Sequence, residues 1–146
     1  MKEQNFTTTL LVGQTPHEVF AAINNVSSWW HGEIEGPTQA LNDEFSYRMK
    51  EFHYSKQLVT ELVPGKKVEW LVTDSKLNFT QKPDEWTGTK IRFDISETGG
   101  KTQLTFTHEG LTPAFECYGD CSNGWSMLIH ESLLSLLDTG VGKEVF

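Results

Sequence analysis

The sequence predicts an α+β fold in which a curved antiparallel sheet of about six or seven strands lies against one long C-terminal helix. Three observations predict it. Between residues 45 and 108, apolar side chains recur at every second position in segments separated by tight-turn signals, the mark of consecutive antiparallel strands. A capped helical stretch follows the first strand-like segment. Residues 114 to 138 then carry apolar positions at helical spacing.

Each element has its own local reason. Phe6, Thr8, Leu10 and Val12 fall on one face of a first strand. Thr15-Pro16-His17-Glu18 supplies a capping residue, a proline suited to the first helical position, and a glutamate that reaches back. Val19, Phe20 and Ile23 give that short helix its buried stripe. Asn24 or Asn25 can cap a second short helix carrying Val26, Trp29 and Trp30. From Glu33 the period changes to two: Phe45, Tyr47 and Met49 alternate with Ser46 and Arg48. A strand from about Ser55 to Val63 ends at Pro64-Gly65, a pair favoured at the centre of a type II turn. Val68, Trp70 and Val72 form the return strand, and the polar stretch from Ser75 to Gly88 reads as a loop. Ile91, Phe93 and Ile95 come next. Thr98-Gly99-Gly100 then turns the chain into Leu104, Phe106 and His108.

Composition bounds the function. The 146 residues suit one domain, 1–146, able to bury a core without a disulfide or metal staple. The formal charge is −8, and the densest basic spot is Lys66-Lys67, so nucleic acid and anionic membrane surfaces are poor partners. No run approaches the length of a membrane span, and the N-terminal stretch lacks a signal-peptide core. Two cysteines without an export signal point to the cytoplasm.

The last helix holds both cysteines, Cys117 and Cys121, with His130 nine residues beyond Cys121. On a helix that separation is two and a half turns, so Cys121 and His130 face opposite sides and cannot share a metal ion. A Cys117–Cys121 disulfide would only link consecutive turns of one helix. Tyr118, Cys121, Trp125, Leu128, Ile129, Ser132, Leu133 and Leu136 form one broad face, Leu134 being an unexplained apolar residue on the other. The segment reads as a packing helix, with no metal site and no cofactor.

Trp29-Trp30, the His108-Glu109-Gly110-Leu111 strand end and the following Asn123-Gly124-Trp125 occur in an order that resembles the START-like SRPBCC superfamily. Within it, the chain is similar to the activator-of-heat-shock-protein-90-ATPase homologues over essentially its whole length. The resemblance implies a helix-grip fold, like that of the birch pollen allergen, with a cavity between sheet and helix. In the wider superfamily that cavity holds lipids, sterols, hormones or polyketides, and some members catalyse cyclisation or hydrolysis. The eukaryotic activators that name the family carry an added N-terminal chaperone-binding domain, for which this length leaves no room.

Trp30, Tyr47, Trp70, Phe93, Phe106, His108, Tyr118, Trp125 and Ile129 are therefore expected to line a site for a small hydrophobic molecule. Packing of the same residues as an ordinary core is the competing expectation. No nucleophile elbow, phosphate loop or dinucleotide glycine pattern is present, and no catalytic residue is assigned. Two other functions stay open: a protein-interaction module that meets a chaperone or a second copy of itself, and an enzyme using His108 as acid–base.

Overall fold

A computed structural model describes residues 5–30, 32–51, 53–78, 81, 84–112 and 118–143. Seven strands form one antiparallel sheet: β1 (Phe6–Val12), β2 (Glu33–Glu35), β3 (Glu44–Met49), β4 (His53–Val63), β5 (Lys67–Leu77), β6 (Lys90–Thr98) and β7 (Lys101–Glu109). Their spatial order is β1-β7-β6-β5-β4-β3-β2, so the first strand closes back onto the last. Register aligns the inward rows, with Leu10 opposite Leu104, Phe93 opposite Phe106, Trp70 opposite Ile91 and Tyr47 opposite Ser55. An extra residue in each strand of the β4–β5 pair, Thr73 in β5 opposite the Lys56–Gln57 step and Thr60 in β4, bends the two strands. The result is a concave face that can wrap a helix.

The turns follow from their residues. Gly65 has φ +71°, the left-handed value a type II turn requires, and Lys66 N–H donates to Val63 C=O at 2.9 Å. Gly99 and Gly100, at φ +58° and +81°, supply the two positive angles of a tight β6–β7 hairpin.

Helix α1 (Pro16–Asn24) begins in the expected reciprocal cap: Glu18 N–H donates to Thr15 Oγ1 at 3.1 Å, and Thr15 N–H donates to Glu18 Oε1 at 3.0 Å. The expected second helix is only a 3-10 turn, Val26–Ser28, and Asn25 makes no side-chain cap. Trp29 and Trp30 lie beyond it, both buried, because Trp29 Nε1–H reaches back to Ile23 C=O at 3.1 Å.

Two further expectations are corrected. The polar stretch after Ser75 is not all loop: β5 continues to Leu77, because Ser75 and Leu77 pair with Ser55 and His53 and point inward. Tertiary pairing here overrides local composition. Nor is the C-terminal helix regular. It runs as α2 (Tyr118–Met127), a π segment (Leu128–Leu133) and α3 (Leu134–Thr139), ending at Gly140 with φ +84°. Leu134 is half-buried and packs against the core, which removes its anomaly. Cys117, and with it any Cys117–Cys121 bridge, lies outside the described residues.

The helix crosses the concave face and is tied at both sides. His130 Nε2 meets Thr8 Oγ1 of β1 at 2.6 Å, and Ser132 Oγ donates to Trp29 C=O at 2.6 Å. This is the helix-grip arrangement.

Candidate functional site

Most of the space between sheet and helix is filled. Trp29 and Trp30 stack on each other with centroids 6.2 Å apart, and Trp30 and Trp70 lie nearly parallel at 6.2 Å. Phe93 packs edge-on against Trp70 and Phe106 at 5.1 and 5.2 Å. Offset and edge-to-face packing at such separations is the preferred geometry of aromatic cores. Trp70, Phe93, Phe106 and Ile129 are fully buried in this block and are not in the wall of the cavity beside it. Tyr118, the first described residue of α2, is half-buried beside the core and also stands outside the cavity wall.

Among the described residues, a cavity lies at the end of the bowl where β3 and β4 meet the start of α2. Its volume is about 170 Å³, and it is lined by Trp30, Tyr47, Met49, His53, Trp86, Asp120, Cys121, Gly124, Trp125 and Leu128. The sequence-derived set thus contributes Trp30, Tyr47 and Trp125. Met49 shares the inward phase of Tyr47, two residues on, and His53 begins β4 just ahead of the strand limit read from sequence. Trp86 is the surprise: buried, yet carried by the polar 84–88 segment, where a lone tryptophan was the only available signal. It stacks on Trp125 at 5.7 Å and meets His53 edge-on at 4.6 Å.

His108 does not reach the cavity. It is fully buried and both ring nitrogens are engaged. Trp125 Nε1–H donates to Nδ1 at 3.0 Å. An indole nitrogen can only donate, so Nδ1 is unprotonated. Nε2 lies 2.8 Å from Thr89 Oγ1, whose own hydrogen goes to Trp86 C=O at 2.6 Å, so Nε2–H is the donor there. Burial first, and the nearby His53 second, push its pKa down to about 3. The ring is a neutral strut joining α2, β7 and the Trp86 turn. It presents no nitrogen to a substrate, which removes the acid–base role considered for it.

The cavity's own polar groups are few. His53 Nε2 lies 3.0 Å from Ser55 Oγ, which also accepts from Gln57 Nε2 at 2.5 Å. Burial pushes the His53 pKa down to about 3, so it too is neutral near pH 7. Burial raises the Tyr47 hydroxyl well above its ordinary range, against an opposing hydrogen bond from Trp30. Asp120, exposed at the rim, is the one acidic side chain among the described lining residues. Among the described residues, no group of three or more His, Cys, Asp or Glu could hold a metal ion, and no helix is long and apolar enough to cross a membrane.

Comparison with known proteins places this architecture. A search of curated proteins found no match. Among solved structures, the chain is similar to the Aha1 dimer from Colwellia psychrerythraea, with 22% identity, TM-score 0.76, and coverage of 95% of this chain and 99% of that one. It is also similar to CalU16 from Micromonospora echinospora, with 16% identity, TM-score 0.63, and coverage of 91% and 74%. A third similar structure is DynU16 of the dynemicin biosynthetic locus, with 14% identity, TM-score 0.68, and coverage of 97% and 49%. At these identities the likeness shows the fold alone. The family model described as activator of Hsp90 ATPase homolog 1-like protein matches residues 15–138, and on that match the chain belongs to this family.

Proposed function

We propose that this protein binds a small hydrophobic molecule, in the cytoplasm, within the cavity between β3, β4 and α2. The observation that carries the reading is an apolar space of about 170 Å³ with Trp30, Tyr47, Trp86 and Trp125 in its wall. An engineered apolar cavity of about 150 Å³ admits benzene. The part of the guest that the cavity encloses is therefore of single-ring size, and a whole sterol is not enclosed without opening the aromatic block. Burying about 150 Å² of ring surface contributes roughly 3.5–4 kcal/mol, which corresponds to a dissociation constant near millimolar before any polar contact is added.

A cavity-filling variant tests this. Met49 lines the cavity but is only half-buried, so Met49→Trp fills space without removing a core hydrogen bond. Binding of a one-ring probe such as benzyl alcohol, followed by tryptophan fluorescence, should weaken at least about tenfold while stability is retained. Unchanged binding in Met49→Trp would sink the reading. Trp125→Ala should lower affinity and stability together, since the same ring walls the cavity and holds His108. If only stability fell, Trp125 would belong to the core alone.

A second reading, a protein-interaction module, draws support from the family description and from the dimeric state named for the Colwellia protein. Leu134 and Leu137 of the last helix are half-buried against the core and offer no fully exposed apolar pair for such a partner. Light scattering on the purified chain separates the cases: a homodimer supports this reading, and a monomer at micromolar concentration counts against self-association.

A further inference from the structure

The charge of the cavity wall narrows the ligand further, on the premise that the cavity is the binding site. We infer that the guest is a compact aromatic or alicyclic amine, whose ring fills the space among Trp30, Tyr47, Trp86 and Trp125 and whose ammonium group sits at the mouth beside Asp120.

Several independent features point the same way. Among the described residues no Lys or Arg lines the cavity, so a carboxylate or phosphate entering it would lose water and meet no counter-charge from them. His53, the one histidine among the described lining residues, is held neutral by burial and engages Ser55, so it supplies no positive charge either. Asp120 is exposed, lines the same space, and forms no ion pair among the described residues. A carboxylate at the mouth of an aromatic-walled cavity favours a cation over a neutral guest of the same shape. Aromatic walls add to that preference, because the ring quadrupole attracts positive charge. The chain's formal charge of −8 biases encounter in the same direction. Volume matches the enclosed part of the guest to a single ring with a short amino substituent.

Three probes with one ring and one short substituent separate the terms: benzylammonium, benzyl alcohol and benzoate. Each is titrated into the intact chain with tryptophan fluorescence and amide NMR as readouts. Benzylammonium should bind roughly tenfold more tightly than benzyl alcohol, and benzoate should not bind measurably. Asp120→Asn should weaken benzylammonium by roughly two- to fivefold and leave benzyl alcohol unchanged. Added salt should reproduce that selective loss. Equal binding of the amine and the alcohol, tight binding of benzoate, or an unchanged amine-to-alcohol ratio in Asp120→Asn would overturn the charge assignment and leave the cavity reading standing. Failure of all three probes to perturb the Trp86 and Trp125 signals would overturn both.

Discussion

His108 and His53 show how burial decides what a residue does. Histidine ordinarily titrates near neutrality, which suits acid–base chemistry. Here two rings meet Trp86 edge-on, 4.6 and 4.7 Å away, and both are held to about 3. In the unfolded chain each binds a proton near pH 6.5, whereas the folded chain refuses it down to about pH 3. The stability this gives is fully present above the unfolded value and is lost as pH falls through the window towards 3. Each ring contributes a slope of about 1.4 kcal/mol per pH unit there. Urea unfolding at pH values between roughly 6 and 4.5 should therefore show stability falling faster in the wild type than in His108→Gln, by one proton's worth of slope. Glutamine can still accept from Trp125 and donate to Thr89, so the variant isolates the titration. Identical slopes would mean His108 is not held neutral by the fold. The inward phase of His108 was legible from its spacing to Leu104 and Phe106. Its role was not, because its partners Trp125 and Thr89 come from other elements, and only the assembled fold brings them to the two nitrogens.

At the scale of elements, the local signals that translated directly were those that depend on few residues. The Thr15–Glu18 box needs only its own four positions, and it formed as written. Thr15→Ala should cost about 1 kcal/mol in thermal or chemical unfolding, with no effect on ligand affinity, since α1 does not line the cavity. The C-terminal helix was harder. Cys121, Trp125, Ile129, Leu133 and Leu137 recur every four residues, whereas an α-helix repeats every 3.6, so the stripe drifts by about 40° at each step. The π segment Leu128–Leu133 takes up this drift with a wider turn, keeping Trp125 above His108 while Ser132 stays on Trp29 C=O. Inserting one alanine after Glu131, an exposed residue of that segment, adds a second surplus residue that the wide turn does not absorb, and should rotate one half against the other by about 100°. The Trp125–His108 bond should break, the Trp125 indole proton should shift in the NMR spectrum, and stability should fall by about 2–4 kcal/mol. Glu131→Ala should stay within about 0.5 kcal/mol of the wild type. An insertion variant as stable as the parent would show that the relative facing of the two halves does not hold the structure together.

Over the whole molecule, the two ends of the chain close the structure. β1 pairs along its full length with β7, joining residues about a hundred positions apart in sequence. At the other end, the chain beyond α3 folds back beneath the turn that follows α1. Lys143 N–H donates to Ser132 Oγ at 3.1 Å, and the same hydroxyl donates to Trp29 C=O. Gly142 lies so close to the Ser28 carbonyl oxygen that an added Cβ would collide with it. Backbone is the obstacle, and backbone cannot swing aside as a flexible side chain can. The tail, the double-tryptophan turn and the helix are thus linked through one small contact, so none of them should unfold alone. Gly142→Ala should lower stability by about 1–3 kcal/mol, whereas Gly13→Ala, where nothing lies within 4 Å of the new atom, should change it by less than about 0.5 kcal/mol. In both variants the urea transitions followed by far-ultraviolet circular dichroism and by tryptophan fluorescence should still coincide, as a single cooperative unit requires. If the fluorescence transition of Gly142→Ala ran ahead of the dichroism, the tail would be clasping the tryptophan turn independently of the sheet. The aromatic block and the cavity beside it would then rest on the C-terminal clasp alone, and ligand affinity would fall with the fluorescence change while the sheet remained folded.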